Sequence, residues 1–112
     1  MCLSVIIPTH NPDINFFRNI NCLVQTYPEW QIIVVDDGST VEIKSLLTPS
    51  PNLTLLRNDT AKGAGTSRNY GLKEVQRDYI VFLDDDDFMD WDVVGSVIAL
   101  MEQNPNIDVA LS

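Results

Sequence analysis

Short runs of consecutive apolar residues alternate along this chain with segments whose apolar positions recur at helical spacing. Leu3-Ser4-Val5-Ile6-Ile7, Gln31 to Val35, Leu53 to Leu56, Tyr79-Ile80-Val81-Phe82-Leu83 and Ile107 to Leu111 read as five short buried strands, the first stopped by Pro8. Between them, Phe16, Phe17, Ile20, Leu23 and Val24 share one helical face, as do Val93, Val94, Val97, Ile98 and Met101. Gly63 to Gln76 adds a third helix entered through glycines. Asn11-Pro12-Asp13 predicts a helix start, with an N-cap, a proline at the first position and an acid at the positive end of the dipole. Ser39 to Glu42 has the spacing of a capping box opening a short helix. Strands alternating with helices in this way imply an α/β domain: a mostly parallel, Rossmann-like sheet of about five strands with helices on both faces.

All 112 residues fit one domain, and no repeat or linker divides them. The chain stops on a predicted strand at Leu111-Ser112 with no helix to close it, so the expectation is a truncated N-terminal portion of a larger domain. The net charge of −9 argues against nucleic acid or an anionic membrane as the main partner. No basic leader precedes the first proline, and no apolar run reaches the ~20 residues that a membrane span needs. Cys2 and Cys22 have neither CxxC spacing nor partner histidines, and read as reduced core residues. A reducing, cytoplasmic setting follows, or the inner face of the membrane within a longer protein.

Three polar clusters each follow a predicted strand: Pro8-Thr9-His10-Asn11, Asp36-Asp37-Gly38-Ser39 and Asp84-Asp85-Asp86-Asp87. In a parallel sheet the C-terminal strand ends lie along one edge, where open α/β sheets bind ligands. Residues far apart in sequence therefore converge. Four adjacent carboxylates repel one another unless a cation relieves them. Asp84 and Asp86, two apart, can face one ion in an extended loop, and hard carboxylate oxygens suit Mg2+ or Mn2+. An EF-hand is excluded, because Met89 stands where the loop glycine belongs. An acidic site for a phosphate ester needs such a metal between the two. A carboxylate at Asp36 or Asp37 can accept a proton from a nucleoside N–H or hydroxyl. Thr9 and the backbone beside it can line a pocket for a base. Each also has a plainer role: Asn11 as a cap, the aspartates as caps or solvated acids, Arg68 in a structural ion pair. Gly63 to Gly71 is neither GxGxxG nor GxxxxGK[ST], so the dinucleotide and P-loop fingerprints fail.

At these residues the chain resembles a family 2 glycosyltransferase of the GT-A fold, from Ser4 to about Ser112. Val5-Ile6-Ile7-Pro8-Thr9-His10-Asn11 resembles the family's opening strand and P-T-x-N turn. Ile33-Val34-Val35-Asp36-Asp37-Gly38-Ser39-Thr40 is similar to its V-D-D-G-S motif. Gly65 with Ser67-Arg68-Asn69-Tyr70-Gly71 matches G-x-x-R-N-x-G, with serine at 67 where alanine is common. Phe82-Leu83-Asp84-Asp85-Asp86-Asp87 looks like L-D-x-D-D, which contains the DxD metal motif. The four stand in the family's order and spacing.

The resemblance implies transfer of a sugar, with inversion, from a nucleotide-sugar donor, often UDP-linked, to a hydroxyl of a saccharide or lipid-linked acceptor, as in polysaccharide biosynthesis. Pro8, Thr9, Asn11, Asp36, Asp37, Arg68, Asp84, Asp85 and Asp86 are the implied donor-binding residues, with Asp84 and Asp86 toward the metal. The general base is expected beyond Ser112. The alternative is a module that binds a nucleotide-sugar without turning it over. A haloacid-dehalogenase-type phosphatase is disfavoured, since it wants an early nucleophile and Thr or Val after D-x-D-G, where this chain has Phe88.

Overall fold

The computed structural model describes residues 3–76 and 79–85, and beyond them positions 92, 95, 96, 99, 100 and 103, all helical. The elements run β1 (Leu3–Thr9), α1 (Ile14–Thr26), β2 (Gln31–Asp37), a short 3-10 turn (Lys44–Leu46), β3 (Leu53–Asn58), α2 (Ala64–Leu72) and β4 (Tyr79–Phe82). The four strands form one sheet in the order β3-β2-β1-β4, every neighbouring pair parallel. The expected strand at Ile107 to Leu111 and the apolar face Val93, Val94, Val97, Ile98 and Met101 of the last expected helix lie outside the described residues.

That order follows from the pattern of the strands. β1 and β2 are buried at all fourteen of their positions taken together, seven in each, as strands covered on both faces must be. Val5, Ile7, Ile32 and Val34 turn one way, onto Phe16, Phe17, Ile20, Leu23 and Val24 of α1. Ile6, Ile33 and Val35 turn the other way, toward Tyr70 on α2, Val75 and Phe82. Right-handed crossovers explain the two faces. The chain steps outward from β1 to β2 to β3, then returns through α2 to place β4 on the far side of β1. Close packing of α2 depends on Gly71, where a Cβ would stand 2.6 Å from Ile6 Cγ2. At the opposite end of the sheet, buried Gln31 accepts from Ser4 Oγ at 2.7 Å and from Gln76 N–H at 2.8 Å.

Several local expectations change. α1 is capped by Asp13, whose carboxylate accepts from Asn15 and Phe16 N–H at 2.9 and 3.3 Å, and not by Asn11. Asp13 has the extended backbone a cap requires, whereas Asn11 is left-handed, with φ 48°. The capping box at Ser39 to Glu42 does not form. Ser39 N–H donates to Asp36 Oδ1 and Ser39 Oγ accepts from Asn11 N–H, so neither is left for a helix, and the 3-10 turn starts at Lys44. β1 runs through Pro8 to Thr9, because the missing proline N–H faces β4, where the ladder ends with Leu83 N–H to Ile6 O, while pairing with β2 continues to Thr9. Cys22 is an exposed free thiol and not a core residue. It lies two residues from Ile20, about 200° around the helix from the buried stripe. Cys2 lies outside the described residues.

Candidate functional site at the strand ends

The sheet order has one reversal, between β1 and β4, where the chain's outward progress turns back. Such a switch point leaves a crevice at the C-terminal strand ends, because the connections leave on opposite faces. Pro8 sharpens it. With no N–H to extend the β1–β4 ladder, backbone pairing ends and side chains bridge the strand ends. Thr9 Oγ1, almost fully buried, donates to Asp85 Oδ2 at 2.6 Å.

A cleft of about 390 Å³ opens here. Pro8, Thr9 and His10 line it from β1 and its loop, Asp37 from β2, Ala64 and Arg68 from α2, and Asp84 and Asp85 from the loop after β4. Seven of these eight residues belong to the three polar clusters or the Gly65–Gly71 segment. The strand ends that the sequence placed on one edge thus meet in one hollow.

Asp37 is the most constrained group in it. Its Oδ1 accepts from Lys62 N–H at 2.8 Å and from Asn58 Nδ2 at 3.0 Å, and its Oδ2 from Gly63 N–H at 2.9 Å. Burial pushes its carboxyl up. The Lys62 N–H, Asn58 amide, Gly63 N–H and Ser67 hydroxyl together outweigh that and hold it below the usual 3.8. It is therefore a fixed anion at neutral pH. Gly63 is also the N-cap of α2, which no side chain caps among the described residues, and Ala64 lines the hollow, so the positive end of that helix dipole borders the cleft.

Asp36 turns the other way, as alternation along a strand requires. It is buried, pairs with Arg57 and accepts from Ser39 N–H, and it does not line the cleft. Of the two adjacent aspartates, Asp37 faces the hollow and Asp36 braces the β2–β3 edge. Arg57 went unread in the sequence. A cation two residues before a polar loop carries no motif, and only the Asp36–Arg57 register of the parallel pair brings the two together. Asn58 was missed in the same way, since it meets Asp37 only through that register.

Arg68 Nη2 donates to Asp84 Oδ1 at 2.8 Å, and both side chains remain more than a third exposed. Asn11 is bound to the loop after β2 and does not line the cleft. Asp86 lies outside the described residues. Among the described residues no three metal-ligating side chains are gathered at one point. Magnesium-class ions ask for less than that: one or two carboxylates, with waters and substrate phosphates completing the shell. The adjacent carboxylates of Asp84 and Asp85 at the cleft mouth are hard oxygen donors of the right kind.

The chain matches Glycosyl transferase family 2 over residues 4–112. An uncharacterized glycosyltransferase of Haemophilus influenzae is 36% identical over 107 residues, covering 95% of this chain and 36% of that protein. A UDP-Glc:alpha-D-GlcNAc-diphosphoundecaprenol beta-1,3-glucosyltransferase of Escherichia coli is 33% identical over 105 residues, covering 91% of this chain and 42% of that protein. A poly(ribitol-phosphate) beta-N-acetylglucosaminyltransferase of Staphylococcus aureus is 30% identical over 111 residues, covering 93% and 19% respectively. The chain spans less than half the length of these relatives. A parallel α/β sheet, a switch-point cleft lined by the four motif segments and a match across nearly every residue agree: this chain belongs to glycosyl transferase family 2.

Proposed function

We propose that this chain supplies the donor site of a glycosyltransferase, binding a nucleotide-diphosphate-sugar for transfer, with inversion, to a hydroxyl of a saccharide or lipid-linked acceptor. The observation that carries the reading is the meeting of Thr9, Asp37, Arg68, Asp84 and Asp85 in one switch-point cleft of a family 2 chain. A UDP-linked donor is favoured by the UDP-Glc donor named for the Escherichia coli relative.

Each residue has a definable task in that reading. Asp37, held ionised, accepts a hydrogen bond from a nucleoside N–H or hydroxyl, and its own fixed donors keep it from rotating away. Arg68 sits beside the acidic loop and can exchange its bond to Asp84 for a diphosphate oxygen. The uncapped start of α2 adds positive potential on the same side. Asp84 and Asp86 would hold Mn2+ or Mg2+, which when bound neutralises charge developing on the departing diphosphate. In the transfer itself the acceptor oxygen bonds to the anomeric carbon as the bond from that carbon to the diphosphate breaks. The hydroxyl proton passes to a base, a role assigned to no described residue.

Calorimetric titration with UDP and GDP, each with and without manganese, tests the reading. Metal-dependent binding that prefers UDP is the expected result, and Asp84→Ala or Asp86→Ala should weaken it by about tenfold or more. Equal binding with and without metal, or no effect of either substitution, would contradict it.

A further inference from the structure

Asn11 is the one non-glycine residue with positive φ among those described, at 48°. Asparagine tolerates that region better than most residues, but the conformation still has a cost. Its hydrogen bonds show what the conformation achieves. Asn11 N–H donates to Ser39 Oγ at 2.9 Å. Its side-chain Oδ1 accepts twice from Thr40, from the N–H at 2.8 Å and from the hydroxyl at 3.0 Å. Beside it, His10 Nδ1 lies 2.7 Å from the carbonyl oxygen of Asp37. A carbonyl only accepts, so Nδ1 carries the ring proton. His10 Nε2 is then the acceptor for Asn11 Nδ2, 3.2 Å away. Every polar atom of the Asn11 side chain is thereby engaged, and none faces the cleft.

The far side of the same loop packs closely against residues 60 and 61, and Asp37 just before it accepts from Lys62 and Gly63 N–H. Gly38 has φ 69°, and a Cβ there would stand 2.4 Å from Ala61 N. The loop after β2 is therefore pinned between residues 10–11 and residues 60–63. Thr9 and Asp37, the flanking cleft residues, inherit that rigidity.

We propose that Asn11 is a positioning residue for the cleft and not a ligand in it. By fastening the loop after β1 to the loop after β2, it sets Thr9 and Asp37 in one relative geometry before a donor arrives. The inference rests on the nucleotide-sugar reading of the cleft. Preorganisation of this kind is worth much in a polar site, because a misplacement near 1 Å can cost up to about a hundredfold.

Two substitutions at the same position separate the possibilities. Asn11→Gly accepts the positive φ but deletes the carbonyl, whereas Asn11→Asp accepts it and keeps an acceptor for Thr40. UDP with manganese is titrated into each 112-residue chain, and amide exchange at Thr40 is followed by NMR without ligand. Asn11→Gly should weaken UDP about tenfold or more and lose protection at Thr40, and Asn11→Asp should recover both to within about threefold. If Asn11→Asp binds as poorly as Asn11→Gly while Thr40 stays protected, fastening Thr40 does not set the affinity for UDP and the proposal is wrong. Unchanged UDP binding by Asn11→Gly overturns it equally. A wild-type chain that binds no nucleotide defeats the proposed function separately. Thr40 exchange then still decides the clamp: protection lost only in Asn11→Gly upholds it, and equal protection in both variants contradicts it. Should Asn11→Gly not fold, Ser39→Ala removes the acceptor of Asn11 N–H and carries the same two expectations.

Discussion

Asp36 and Asp37 are chemically identical neighbours with different lives. One pairs with Arg57 beneath the β2–β3 edge, and the other gathers backbone and side-chain donors from residues 58–67 into the cleft. The second arrangement has a consequence for stability. Asp37 titrates below its ordinary value in the folded chain, so folding favours its ionised form. Its contribution is present above the ordinary value of 3.8 and is lost as the pH falls through the folded value. Asp37→Asn, which turns an NH2 group toward those donors, should lower stability by about 1–3 kcal/mol at neutral pH. The gap from wild type should narrow as the pH drops toward about 3. Urea unfolding at both pH values measures this, and an equal loss at each would contradict it.

α1 and α2 cover opposite faces of the sheet by different means. α1 uses a wide stripe of large side chains, Phe16, Phe17, Ile20, Leu23 and Val24, and that stripe was legible because its spacing is helical. α2 is short and weakly apolar, and it reaches the sheet by omitting a side chain at Gly71. Alanine there would gain about 1 kcal/mol in helix propensity. It would also drive a Cβ to 2.6 Å from the fully buried, β-branched Ile6, which has little freedom to yield. Overpacking of that kind costs about 1–3 kcal/mol, so Gly71→Ala should lower Tm, and a rise would show that α2 can move off the sheet. The helix starts were less legible. Asn11 looks like a cap, and Ser39 with Glu42 like a capping box, because both motifs are local. Their side chains are taken instead by partners 28 and 29 residues away, which no local pattern reveals.

Across the whole molecule, the sheet order turns a set of scattered motifs into one place. The alternation of strands and helices made a parallel sheet legible, and with it the convergence of three loops on one edge. The order β3-β2-β1-β4 adds what alternation cannot: it puts β1 beside both β2 and β4, so Thr9 stands between the two acidic loops. Pairs that depend on register, such as Asp36 with Arg57 and Asp37 with Asn58, stayed hidden for that reason. A chain carrying a net charge of −9 holds a cleft whose favourable features for a diphosphate are Arg68, the start of α2 and whatever cation the acidic loop takes up. The most direct test of that account is a two-dimensional amide NMR titration of the 112-residue chain with UDP and magnesium, repeated with trace manganese. The account predicts shifts confined to Thr9, His10, Asp37, Ala64, Arg68 and the acidic loop, with manganese broadening strongest at Asp84 and Asp85. Shifts centred instead on Thr40, Lys44 and Arg57, across the sheet from the cleft, would contradict it.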